Sequence, residues 1–149
     1  MISTVIGSIV GFVVAVPLTI VPTNRFLRPA TERAFYSLTL IPIALFYIAF
    51  CFYYDDRSAL QAEIIGVILF SALALWAYFT ATWILIVAYL AHALWDLLHE
   101  VSLAGTGVDI GGTRVPAGYA AFCLVYDVII AFYIAIRSRA WASDRTSAT

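Results

Sequence analysis

Residues 92–100 read HALWDLLHE, two histidines and two carboxylates in nine residues at the end of a long apolar run. Imidazoles and carboxylates are the side chains that carry protons and ligate metals. Winding the segment as a helix at 100° per residue puts His92, Asp96 and His99 at 0°, about 40° and about −20°, with Glu100 beside them at about 80°. Leu94, Leu97 and Leu98 turn away. A narrow polar stripe on a greasy helix should face other helices or a water-filled cavity, not lipid.

The chain around the stripe explains the helix. Of 149 residues, 64% are hydrophobic and 11% charged, and the mean hydropathy is +0.98. A soluble domain carries about 25% charged residues, so this composition reads as an all-α integral membrane bundle. At about 20 apolar residues per span, five transmembrane helices are expected, over about 2–21, 34–54, 60–79, 83–101 and 115–136. Together they form one multi-pass domain over 1–149, with a tail from 137. The first should kink at Pro17 and end at Pro22. It lacks a basic leader, so it is read as retained. Only Thr80-Ala81-Thr82 separates the third from the fourth, which predicts a tight helical hairpin. The glycine-rich SLAGTGVDIGGTRVP reads as a loop, since its GVDIGG does not join a strand to a helix as a nucleotide cradle does.

All eight basic residues are arginine. Arg25, Arg28 and Arg33 oppose Glu32 in the first loop, and Arg137, Arg139 and Arg145 oppose Asp144 in the tail. Five spans place both segments on one side. The positive-inside rule then makes that side cytoplasmic, with the amino terminus outside the cell membrane. A net charge of −1 offers no field for nucleic acid. The expected partners are the lipid bilayer and a lipophilic small molecule, with a homo-oligomer left open.

Two further helices supply groups that could meet the stripe. Tyr119, Cys123, Tyr126 and Asp127 share one face of the fifth, and Glu63 stands near the start of the third. Counted at 1.5 Å per residue, Asp127 lies roughly 18 Å deep and His92 roughly 13 Å. Glu63, His92, Asp96, His99 and Asp127 are therefore expected to converge in the outer half of the membrane, with His92 and Asp127 forming one coupled unit across the fourth and fifth helices. Intramembrane carboxylates cost a few kcal/mol each unless paired, which marks them as candidates for function. The plainer alternative is helix–helix adhesion. Tyr47, Cys51 and Tyr54 could border such a cavity, with core packing the stronger reading. Trp76, Trp83, Trp95 and Trp141 read as interface anchors or packing, and Cys51 and Cys123 as two buried thiols rather than a disulfide.

The run AHALWDLLHE, a Gly/Pro loop, and then CLVYDVIIA resembles a family of small integral membrane proteins, domain-of-unknown-function family six thousand and ten. The shared pattern is H-x-x-W-D-x-x-H on one helix, an aspartate before an apolar run on the next, and a glutamate about thirty residues upstream. Here it falls on His92, Trp95, Asp96 and His99, on Asp127, and on Glu63, over roughly residues 55 to 135. Tyr126 and Val128 stand where the family has cysteine and proline flanking the aspartate. The family brings no activity with it, so the resemblance supports the residues and not a reaction.

The favoured chemistry is that of an isomerase or cyclase, or a hydration, on a lipophilic substrate, needing no cofactor. Burial penalises charge on acids and imidazoles alike, so an acid and a base can coexist near neutrality. Asp127 or Glu63 would be the acid, His92 the base, and Asp96 the group orienting a histidine. A second reading is a metal-binding protein or metal-dependent oxidoreductase, with iron, zinc or manganese on His92, Asp96 and His99. A proton or ion transporter subunit and a structural membrane subunit complete the alternatives.

Overall fold

The computed structural model describes residues 1–103 and 111–147, and among these every long element is a helix. We label them α1 (Ile2–Phe26), α2 (Pro29–Tyr53), α3 (Leu60–Phe79), α4 (Thr82–Leu103) and α5 (Tyr119–Ser147). All five are long and apolar enough to cross a membrane, as a multi-pass membrane protein requires. They run alternately up and down. α5 is central, packing along α1 on one side and α4 on the other, while α3 packs chiefly on α2 and α4. Residues 104–110, with most of the GVDIGG loop, lie outside the described residues, as do the side chains of Asp144 and Arg145.

Four helix boundaries differ from the sequence expectation, each for a local reason. α1 does not stop at Pro22 but continues to Phe26. Its turns widen to π-helical spacing over Val14–Ile20 around Pro17, which accommodates a residue with no N–H to donate. Pro22 then sits in the first turn of the resumed helix, where no intrahelical donor is needed. α2 begins at Pro29 rather than 34 because Pro29 occupies the first helical position, after an extended Arg28. The charged residues expected in a loop are its first turns.

α5 begins at Tyr119, not 115, because the chain turns through Gly118 at φ +82°, with the Tyr119 N–H donating to the Pro116 carbonyl at 2.9 Å. α5 also runs to Ser147, so the expected tail from 137 continues the last span as helix. The buried side chain of Trp141 and the Arg137 guanidinium hold it to α2. The α3–α4 hairpin forms as expected, with α3 ending at Phe79 and α4 beginning at Thr82.

The backbones of α1 and α5 touch. A Cβ on Gly7 would stand 2.0 Å from the Gly118 carbonyl oxygen, so no larger residue fits there without separating the helices. Glu100 at the end of α4 accepts the Thr4 hydroxyl of α1 at 2.8 Å. This end of the bundle holds the polar stripe. At the other end, Glu32 in the first turn of α2 meets Tyr133, Arg137 and Trp141 of α5. Trp76 and Trp83 are exposed beside the α3–α4 turn, as lipid-facing anchors should be, whereas Trp141 is buried core and not an anchor.

Candidate functional site

α4 presents His92, Asp96 and His99 inward, and all three are buried, as are Glu63 and Asp127. The five do not form one cluster. They divide into two units that share a wall.

The deeper unit joins α4 to α5 and α2. His92 Nδ1 lies 2.6 Å from Asp127 Oδ2 and 3.2 Å from Asp96 Oδ2. The second Asp96 oxygen accepts the Tyr47 hydroxyl at 2.5 Å. Two polar atoms, His92 Nε2 and Asp127 Oδ1, are buried without a hydrogen-bond partner among the described residues. Tyr47 was expected to be core packing, and it is buried, yet its hydroxyl belongs to this unit. Sequence could not reveal that, because nothing in the spacing of α2 says which helix its tyrosine faces.

The second unit lies one to two turns nearer the end of the bundle. His99 Nδ1 donates to the Trp95 carbonyl oxygen at 3.0 Å; a carbonyl can only accept, so this nitrogen carries a proton. His99 Nε2 is 3.1 Å from Glu63 Oε1, which also accepts the Thr113 backbone N–H at 2.7 Å. A carboxylate oxygen and the second nitrogen of an already protonated imidazole can share one mobile proton. Thr113 sits within the glycine-rich loop with no pattern to announce it, and sequence reasoning missed it. Glu100, which the helical wheel put beside the stripe, points instead to Thr4.

Tyr47 connects the units. Its ring packs 4.5 Å from that of His99 and 6.0 Å from that of His92, centroid to centroid. A cleft between α2, α3 and α4 is lined by Tyr47, Glu63 and His92, and otherwise by Ala44, Gly66, Val67, Phe70 and Trp95. It is too narrow for a water molecule in this conformation. His92 and Glu63 thus face the same small space, each backed by a partner that fixes its orientation.

Among the described residues, the three groups whose ligand atoms come within 4.8 Å of one another are His92, Asp96 and Asp127. His99, expected beside the first two in a metal set, pairs with Glu63 instead. Both cysteines are buried and free, as expected. Cys123 lines an apolar groove of about 200 Å³ on the opposite side of α2, with Phe46, Tyr119, Phe122 and Tyr126 among its walls.

No protein-family profile, no curated protein and no solved structure matches this chain. What it does must be argued from the site itself.

Proposed function

We propose that the protein is a membrane-embedded enzyme that moves protons on a lipophilic substrate, with His92 and Glu63 as the exchanging pair. The observation that carries this reading is that both line one cleft whose remaining walls are almost wholly apolar. Asp96 and Asp127 hold Nδ1 of His92, and Nε2 has no hydrogen-bond partner among the described residues. A histidine gripped by a carboxylate at one nitrogen and free at the other is the arrangement of an oriented acid–base catalyst. Opposite it, Glu63 shares a proton with His99. If one of the pair takes a proton from a substrate carbon while the other delivers one to a second carbon, a double bond shifts and atoms balance. Cyclisation or hydration uses the same two roles.

Isomerisation, cyclisation and hydration all leave a solvent-derived hydrogen on carbon. Membranes containing the protein, incubated in D₂O, should therefore incorporate deuterium into an apolar extractable compound. His92→Gln and Glu63→Gln membranes should not. Equal labelling in all three, or none in the wild type, removes the reading.

The same proposal includes an orientation. Arg25 and Arg28 adjoin the turn between α1 and α2, and Arg137 reaches Glu32 at that end of the bundle. Arg25, Arg28, Arg33, Arg137 and Arg139 thus lie toward one end and only Arg57 and Arg114 at the other, an excess that supports a cytoplasmic placement for the first and an outer-half placement for the cleft. A carboxyl-terminal reporter fusion should be active in the cytoplasm; activity only outside the cell reverses the assignment.

A further inference from the structure

We infer that His92, Asp96 and Asp127 bind a divalent transition-metal ion, an inference that rests on the cluster being a working site as proposed above. The three ligand atoms lie within 4.8 Å of one another. The two separations from Nδ1, 2.6 and 3.2 Å, bracket the roughly 3 Å edge of an octahedron built on bonds of about 2.1 Å. One nitrogen and two carboxylates suit manganese, iron or zinc.

Donor bookkeeping gives the second reason. Two carboxylates present four oxygens, all buried. Apart from a proton that the two carboxyls share between themselves, the described residues offer them two donors: the Tyr47 hydroxyl, and Nδ1 of His92 if it bears a proton. That single proton would serve Asp96 Oδ2 and Asp127 Oδ2 together, and Asp127 Oδ1 receives nothing. A divalent ion on the two Oδ2 atoms and Nδ1 replaces the contested proton, and Asp127 Oδ1 is free to join as a second oxygen of the same carboxylate. Two ionised carboxylates, a neutral imidazole and one M²⁺ sum to zero charge, which is the arrangement an apolar interior tolerates.

The outer contacts also match. Carboxylates that ligate metals usually accept a hydrogen bond on their free oxygen, and the Tyr47 hydroxyl supplies it to Asp96 Oδ1. Ligation through Nδ1 leaves the neutral imidazole with its proton on Nε2, an atom with no partner among the described residues.

The test uses the full chain purified in detergent, stripped with EDTA, and titrated with Mn²⁺ alone while the free-ion paramagnetic resonance signal is followed. One Mn²⁺ per chain is expected, displaced by Zn²⁺. Asp127→Asn should weaken binding at least about a hundredfold and Tyr47→Phe, which keeps every ligand, about ten- to a hundredfold. His99→Gln should bind as the wild type does. No binding to the wild type at millimolar Mn²⁺ overturns the inference; so does equal binding by Asp127→Asn, or a loss in His99→Gln as large as in Asp127→Asn. Should Asp127→Asn fail to fold, the wild-type titration and Tyr47→Phe still decide. Deuterium labelling that survives in the stripped protein removes the metal and leaves the acid–base reading; Mn²⁺ binding without labelling does the reverse.

Discussion

The bundle buries carboxylates at both ends, and the two places are built to different standards. At Glu32 every demand is met. Tyr133 donates its hydroxyl to one oxygen, while the Arg137 guanidinium and the Trp141 indole N–H, at 2.9 and 2.8 Å, donate to the other. The charge has its counter-charge, and a helix end is fastened to its neighbour. At Asp96 and Asp127 there are more acceptors than donors, no arginine, and two buried polar atoms with nothing to bond among the described residues. A fold that can satisfy one intramembrane acid so fully at Glu32 has no structural need to leave another pair short. Full satisfaction marks a fastening; the shortfall at Asp127 is the observation on which the proposed site rests.

The comparison can be pressed hardest at Glu32. Glu32→Ala leaves Arg137 without its partner, and breaking a buried ion pair costs about 3–5 kcal/mol. Thermal melting in detergent should show this, and below the melting point deuterium labelling should persist. A mild effect on melting would mean that Glu32 is not a fastening.

Tyr47→Phe should cost less, about 1–3 kcal/mol, since it strips Asp96 Oδ1 of its donor without leaving an unpaired charge of opposite sign. Denaturation of this variant in the presence and absence of Mn²⁺ would separate the hydroxyl's structural share from its service to the site.

Asp127→Asn is where the two ends should diverge most clearly in kind. The amide is nearly isosteric and brings a donor into a donor-poor place, so stability should stay within about 1 kcal/mol of wild type or rise. Deuterium labelling should vanish. Combining it with His92→Gln should lose no more than either alone, as groups acting as a unit do; independent, multiplying losses would break the His92–Asp127 unit. A collapse of stability would place Asp127 among the fastenings with Glu32.

Gly66→Ala should be the gentlest change. A Cβ there would meet the Trp95 ring at 3.8 Å, an ordinary contact, so melting should shift within about 0.5 kcal/mol. Because Gly66 lines the cleft, Gly66→Leu should abolish labelling while the protein still binds Mn²⁺. Labelling that survives the leucine would move the reaction out of the cleft.

Much of this was written in one dimension. Hydropathy and length set the five helices and the α3–α4 hairpin, because a bilayer imposes a fixed span and a penalty on every polar residue that interrupts it. The wheel of HALWDLLHE put His92, Asp96 and His99 on one inward face, since helical periodicity is local geometry. The same one-dimensional logic misjudged α1, α2 and α5 at their ends. There the hydrophobic run stops but the backbone goes on hydrogen-bonding, so charged residues at Glu32 and Arg137 read as loop and tail although they are helix.

Only part of the pairing was legible beforehand. Overlapping depth and matching polar faces already coupled Asp127 to His92, which lie 2.6 Å apart, but sequence could not say that Glu63 goes to His99. That choice depends on helix rotation and lateral order, which follow from packing such as the Gly7–Gly118 contact rather than from spacing along the chain. Nor could it recruit Tyr47, whose α2 context is apolar on every side, or see that Glu32 is saturated and Asp127 is not. Composition fixes which polar groups enter a membrane; only the arrangement of helices around them fixes which are answered and which are left to act.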